Sequence, residues 1–388
     1  FFCFSMNNLC SLYSALGLCS LHTHKSKHLA RKKVFHINRS FTVSNMQHQE
    51  YTNNDNLKTS PSFRQQGGGD IIVGLTLGLG SFSIVKEVKK MHDHPQAEQI
   101  FDDGDSFLSD EAQNLRGKYA IKQVRKDLPL SAWTDACDFL EQEVKLLSGL
   151  NHPNLIQYYG TCKILGDPSL SILLERISYT LEEQCADWRV RSRKMKNAFI
   201  CSMGIANLAN KHYSKVHADM WNERIYVLAD LASVVAYLHR RGIVFRDLKQ
   251  TNCGFNLKGV FKLFDFGLAT RLDPQKKVAL HQYKLTGNTG SRRYMAPEVA
   301  RCLFYGSPCD VYSYAIILWE LMSLETAFKD ETLESHARKA YGFRNHRPKI
   351  KSSWPRTLQQ LIKDCWCVDP TSRPLFSSIQ LSLCKCLI

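Results

Sequence analysis

The residues best suited to chemistry fall in a few short runs. Gly78-Leu79-Gly80-Ser81-Phe82-Ser83-Ile84-Val85 separates two strand-like stretches. Glycines at such a corner let backbone N–H groups approach phosphate oxygens with no Cβ in the way. The same spacing also serves an ordinary hairpin turn. Strand rather than helix follows it, which argues against a dinucleotide-binding fingerprint. Tyr119-Ala120-Ile121-Lys122 sets a cation inside an apolar strand. If Lys122 faces inward it needs an anion, and Glu143 supplies one, because it shares a helix face with Leu140, Val144 and Leu147. Glu141 falls off that stripe and is second choice. Arg246-Asp247-Leu248-Lys249-Gln250-Thr251-Asn252 and, thirteen residues later, Asp265-Phe266-Gly267 carry two carboxylates and an amide on two short loops bracketing a strand pair. Groups of this kind handle metal ions or protons. Met295-Ala296-Pro297-Glu298 closes the Thr- and Ser-bearing segment that follows.

These groups need a scaffold that brings distant stretches together. At 388 residues the chain exceeds the roughly 250–300 at which one core stops growing, so two lobes are expected. Strand-like runs at 71–77, 83–88, 118–124, 155–159 and 170–175, with a helix over 131–149, predict a five-stranded sheet carrying one helix. Helical patterns dominate from about 180 onward, most strongly at 223–240, 310–324, 355–366 and 374–386. The fold class is therefore α+β, with a strand-rich lobe followed by a larger helical one.

Charge is unevenly spread. Of the net +15, residues 1–66 carry +6 (eight Lys/Arg against Glu50 and Asp55) and residues 188–218 carry +7 (seven Lys/Arg, no acid). A nucleic-acid binder usually bears its basic stripe on the folded framework, so no nucleic acid is expected. The 188–218 stretch reads as a solvated basic insertion, with an acidic partner as the sharper alternative. Residues 91–116 hold seven acids and read as a surface insertion between strands. The fourteen cysteines are scattered, without the spacing of zinc ligands, and fit reduced thiols in an intracellular protein.

Taken together and in this order, the motifs resemble those of the eukaryotic-type protein kinases, across about residues 70–388. The resemblance implies a bilobal fold: 70–175 as the small antiparallel β lobe, 176–388 as the helical lobe, and 1–69 as a basic, polar extension expected to be disordered. It implies ATP and Mg²⁺ as cofactors and protein hydroxyls as acceptors. Gly78, Gly80 and Ser81 would cover the phosphates, with Val85 and Ala120 also lining the nucleotide site. Lys122 would hold the α- and β-phosphates, paired with Glu143. Asp247 would orient the acceptor hydroxyl and take its proton, while Asn252 and Asp265 would ligate Mg²⁺. Glu175 and Ile177 would offer hinge backbone groups to the adenine, with Leu174 as gatekeeper. By the same resemblance Glu298 pairs with Arg373, and Asp310 anchors the catalytic loop. Lys249, two residues past Asp247, and Ser291 after Gly290 match the serine/threonine class, whereas Asp310-Val311-Tyr312-Ser313-Tyr314 has a tyrosine-kinase-like look. Arg246 beside Asp247 implies control by a phosphate on the loop, with Thr286 and Thr289 the better candidates.

Three positions depart from the family. Phe245 replaces a histidine; it keeps ring packing on Phe266, Leu147 and Tyr158 but loses a polar contact. Ser83 replaces the third loop glycine. Gly254 stands where a leucine usually floors the adenine pocket, and is expected to leave a gap unless Phe255 or another side chain fills it. A pseudokinase scaffold, binding nucleotide or partners without turnover, is the alternative reading. Residues 1–45 admit a transit peptide, a membrane stub or an upstream misreading with Met46 as the start, the last being favoured. The expected location is cytoplasmic with no membrane association; organelle targeting or membrane anchoring applies if 1–45 is genuine.

Overall fold

A computed structural model of the protein describes residues 71–91, 117–163, 169–201, 206–332, 334, 335, 337, 341 and 345–388. The extension 1–69 and nearly all of the acidic 91–116 stretch lie outside those residues. Strands β1 (Ile71–Leu79), β2 (Ser83–Met91), β3 (Tyr119–Val124), β4 (Tyr158–Cys162) and β5 (Ser171–Glu175) form one antiparallel sheet in the order β1-β2-β3-β5-β4. Val88, Tyr119, Ile121 and Leu173 make a small core of their own in this sheet. Ile172 and Leu174 instead join the larger core, with Leu140, Val144 and Leu147 of helix α1 (Leu130–Leu147). Alternation along β3 and β5 thus serves both faces at once.

The strand expected at 155–159 is displaced. Leu155 forms a parallel bridge to Leu263, and Ile156 N donates to Leu263 O at 3.0 Å, so this segment stitches the two lobes before β4 begins at Tyr158. Beyond the sheet, β6 (Ile177–Thr180) pairs with β8 (Cys253–Asn256), which pairs with β9 (Phe261–Leu263). Short pairs β7 (Ile243–Val244) with β10 (Thr270–Arg271), and β11 (Lys277–Ala279) with β12 (Gln282–Tyr283), hold the loops around the cleft.

The second lobe is helical: α2 (Leu181–Cys201), α3 (Ala206–Arg240), the single turn α4 (Pro297–Ala300), α5 (Pro308–Ser323), α6 (Arg356–Cys365) and α7 (Phe376–Cys384). Every residue from Cys309 to Ser323 is buried, so α5 is the central post of this lobe, apolar nearly all round. The basic 188–218 stretch is helix rather than loop: 188–201 end α2 and 206–218 open α3. It contains few helix breakers, and its base is pinned. Trp188 is fully buried with its indole N–H on Glu223 at 2.8 Å, and Arg191 forks onto the same carboxylate.

His152, in the turn after α1, links the lobes as a neutral ring. Its Nδ1 accepts the Asn154 N–H at 3.1 Å, which leaves Nε2–H to donate to Ser233 Oγ at 3.2 Å. Burial, reinforced by Arg240 and Lys262, lowers its pKa to about 4. The unfolded chain therefore binds a proton near pH 6.5 that the folded chain refuses until about 4. This stabilisation is complete above about pH 6.5 and drains away as pH falls through that window. Denaturant titrations should show about 2 kcal/mol lost from this group between pH 7 and pH 5, and a shallower slope in His152→Gln.

Candidate active site

Helix α1 and strand β3 bring Glu143 and Lys122 together. The Lys122 ammonium lies 2.5 Å from Glu143 Oε2 and 2.8 Å from Asp265 Oδ1, although 143 positions separate Lys122 from Asp265. Lys122 is 6% exposed and Glu143 1%. Burial alone would lower the Lys122 pKa, but Asp265 and Glu143 together hold it above the ordinary lysine value. Burial pushes the Glu143 carboxyl up against the pull of Lys122, while at Asp265 the upward push of burial is overcome by Lys122 together with Lys249 and the Gly267 N–H, which hold that carboxyl below its usual range. Glu143 Oε1 also accepts the Phe266 N–H, fixing the loop that carries Asp265. Glu141 sits off this cluster, 3.5 Å from Lys145, so the residue on the apolar stripe is the one that meets Lys122.

Asp310, fully buried at the start of α5, organises the second cluster. It accepts the N–H groups of Phe245 and Arg246, each at 2.8 Å, and lies 2.8 Å from His239 Nε2. Arg246 has φ of 68°, a left-handed conformation disfavoured for a side chain of this size. That turn presents Asp247, whose Oδ1 accepts the Ser291 N–H at 2.8 Å while Oδ2 meets Lys249 at 2.7 Å. Lys249 also donates to Ser291 Oγ at 3.1 Å. Gly290 makes this approach possible: it has φ of 101°, and a Cβ there would lie 2.3 Å from Arg246 O. Asn252 Nδ2 donates to the backbone and side chain of Asp247. Arg373 forks onto Glu298 at 2.6 and 2.8 Å, fully enclosed, and ties the end of the loop to the lobe beneath.

The glycine turn is folded down. Gly80 N–H donates to Ser83 O at 2.8 Å, and Arg125 reaches Gly80 O at 3.1 Å. Phe82 packs on Phe139 of α1 at 5.6 Å. Ser81 is exposed, and Gly78 pairs with Val85, which pairs in turn with Lys122 across the sheet. Ala120 and Leu174 are buried partners on adjacent strands. At the hinge, Glu175 accepts from Asn256 at 2.6 Å and lies 3.0 Å from Lys262, both in the second lobe. Arg176 reaches back to Glu87 of β2 at 2.6 Å. Ile177 opens β6, opposite Asn256.

Two departures from the family resolve differently. Phe245 is 1% exposed, with its ring edge-on to Phe266 at 5.0 Å, so the aromatic packing expected of it is present. No gap opens at Gly254. A Cβ there would lie 2.6 Å from Tyr179 O, 2.8 Å from Ile177 Cγ2 and 3.1 Å from Phe264 Cε1. The space is filled, as the conditional expectation allowed, by other side chains, Phe264 and Ile177, and by the backbone of β6 running directly across β8. Phe264, absent from the residues singled out in the sequence, occupies this region, and its only signal there was its position just before Asp265.

Asp265 and Asn252 offer a carboxylate and an amide oxygen to the cleft. The Asp265 side chain is 46% exposed, and buried Asn252 spends its N–H₂ on Asp247, so its oxygen is not engaged in those bonds. A donor set of hard oxygens fits Mg²⁺ rather than a thiolate- or imidazole-seeking metal.

Residues 111–382 match the protein kinase domain family. The chain is 32% identical to the serine/threonine/tyrosine-protein kinase HT1 of Arabidopsis thaliana over 62% of its length and 52% of that protein's. It is 30% identical to the serine/threonine-protein kinase STY17 of the same plant, covering 68% of this chain and 40% of that one. Against the human mitogen-activated protein kinase kinase kinase 7 it is 29% identical, covering 67% of this chain and 36% of that one. The chain thus spans about half the length, or less, of these relatives.

Removing the cation from the first cluster strands a buried carboxylate. Lys122→Met should cost about 3 kcal/mol in urea denaturation, and Lys122→Met/Glu143→Leu should recover most of that loss.

Proposed function

The chain belongs to the protein kinase family, and on that footing we propose that it transfers the γ-phosphoryl group of ATP to serine or threonine hydroxyls of proteins. The observation that carries this reading is the cluster of Lys122, Glu143 and Asp265 beside that of Asp247, Lys249 and Asn252, the two loops being joined by the Phe264 N–H on Asn252 O. Phosphoryl transfer asks a protein mainly for positioning and charge neutralisation, which this cluster supplies. Lys122 binds phosphate oxygens, its charge secured by burial between two carboxylates. Asp247 holds the acceptor hydroxyl and receives its proton. Lys249, shared by Asp247 and Ser291, steadies the transferring group from the acceptor side and favours the serine/threonine class. Asn252 and Asp265 hold Mg²⁺, which when bound neutralises phosphate charge.

Arg246 lies 3.5 Å from the Tyr305 hydroxyl, which donates to Thr286 O. A phosphate on Thr286, whose side chain is exposed, or on Thr289 would fall within this arginine's neighbourhood. The basic helical pair at 188–218 suits an acidic protein partner. Cys185, Cys253, Cys309 and Cys365 are buried as thiols rather than disulfides, which suits a reducing, cytoplasmic setting. No described helix is long and apolar enough to cross a membrane.

Radiolabelled ATP offered with generic Ser, Thr and Tyr peptides should label the Ser and Thr acceptors. Asp265→Asn should reduce that transfer at least about a hundredfold, since it removes a charge needed in the transition state. Label that persists in the variant would belong to a contaminating enzyme. Phe245→His should bring no gain in transfer, because the aromatic contact with Phe266 is already made.

A further inference from the structure

Helices α2 and α3 run on past the core as an arm. Between Trp188 of α2 and Met220 of α3, none of the described residues is buried. Trp188 and Arg191 share the Glu223 carboxylate at 2.8 and 2.9 Å, which clamps one helix to the other at the root. Arg189 is engaged as well, its Nε on Leu324 O at 2.8 Å. Beyond the clamp, Arg193, Lys194 and Lys215 are exposed and meet no carboxylate among the described residues. Charge is sorted along the arm. Glu182, Glu183 and Asp187 precede Trp188, and Asp219 precedes Met220, whereas residues 188–218 hold seven Lys/Arg and no acid. Arg189 and Arg193 stand four apart, and Arg191 and Lys194 three apart, spacings at which like charges repel and weaken a helix. An ordinary solvated helix interleaves acids at those positions. This one does not.

We propose that this arm is a docking site for the protein substrate itself, holding an Asp/Glu-rich tract that lies outside the segment bearing the acceptor hydroxyl. The proposal rests on the transferase reading above and names the partner that reading left general. Exposed charges are screened and each contact is weak. Such contacts speed encounter more than they prolong it, which suits a partner that must leave after every turnover. The arm is also mounted beside the cleft, because α2 begins at Leu181, the residue after the hinge strand β6. A substrate held there is tethered, and its acceptor is concentrated near Asp247. Other polyanions fit less well. Val190 is the one large hydrophobic exposed among the arm's described residues, too little for the apolar face with which a helix enters a membrane. No exposed aromatic is described there on which a base could stack.

Steady-state transfer by the full chain tests this with one acceptor peptide in two forms. The first carries a run of glutamates behind a Gly-Ser linker of about 5, 15 or 30 residues, and the second carries glutamines in their place. With at least one linker the glutamate form should show a KM about fivefold lower at unchanged kcat. Raising the salt from about 0.05 to about 0.3 M should erase the difference. Arg193→Gln/Lys194→Gln/Lys215→Gln should also erase it and leave kinetics on the glutamine form as in wild type. Equal KM values for both forms at every linker length overturn the proposal, and so does a variant that keeps the advantage. A variant that slows both forms alike overturns it too, since the arm would then act only through the fold. Loss of binding to duplex RNA or to anionic phospholipid vesicles, with the glutamate advantage intact, gives the arm to that polyanion and overturns the proposal. Wild-type protein that transfers to neither form removes the transferase reading beneath it, a failure distinct from transfer that ignores the tract.

Discussion

An ammonium group withdrawn from water has to be met by carboxylates, and at Lys122 the two that meet it come from different lobes. Glu143 arrives on α1 of the sheet lobe and Asp265 on a loop of the helical lobe. Desolvation makes each charge expensive by itself and makes their mutual attraction strong once all three are present. The cleft is consequently held in register by an electrostatic need in addition to the apolar core that Leu140, Leu147 and Ile172 share with Phe245 and Phe266. Asp265 keeps nearly half of its side chain exposed, so it can serve the lysine and remain open to a ligand.

Beneath this cluster the helical lobe solves a different problem. Arg246 and Asp265 both adopt φ near 68°, conformations that cost of order 1–3 kcal/mol where nothing compensates. Asp310 offsets the first by accepting two consecutive backbone N–H groups, and Glu143 steadies the loop carrying the second through Phe266. Buried carboxylates here act as braces for a strained backbone. Glu320 is a third instance: it gathers Gln250, Tyr294 and the Ala327 N–H, so the segment after Asp247 and the segment before Glu298 share one acceptor.

Much of this was legible in residue order, for reasons that differ from place to place. The Lys122–Glu143 pair could be read because a helix face has a fixed period, and the period selects Glu143 over Glu141. The five strands could be read because β-branched runs between turn residues leave little else. Leu155 misled because an apolar residue after a helix looks like the first residue of the next strand, while its partner, Leu263, lies in the other lobe. The basic 188–218 stretch misled because charge suggests solvation, although charge does not prevent a helix whose base is buried through Trp188. Gly254 was the least legible. Whether a missing side chain leaves a void depends on what passes overhead, and neither the path of β6 nor the ring of Phe264 is encoded near that residue.

The hinge carries one more implication. Glu175 is tied to Asn256 and Lys262 below it, and Arg176 to Glu87 above it. Two successive residues are thereby fastened to opposite halves of the molecule, so relative movement at this edge falls on the backbone between them. A breathing motion of the halves at this edge is then a twist about one backbone joint, with little sliding.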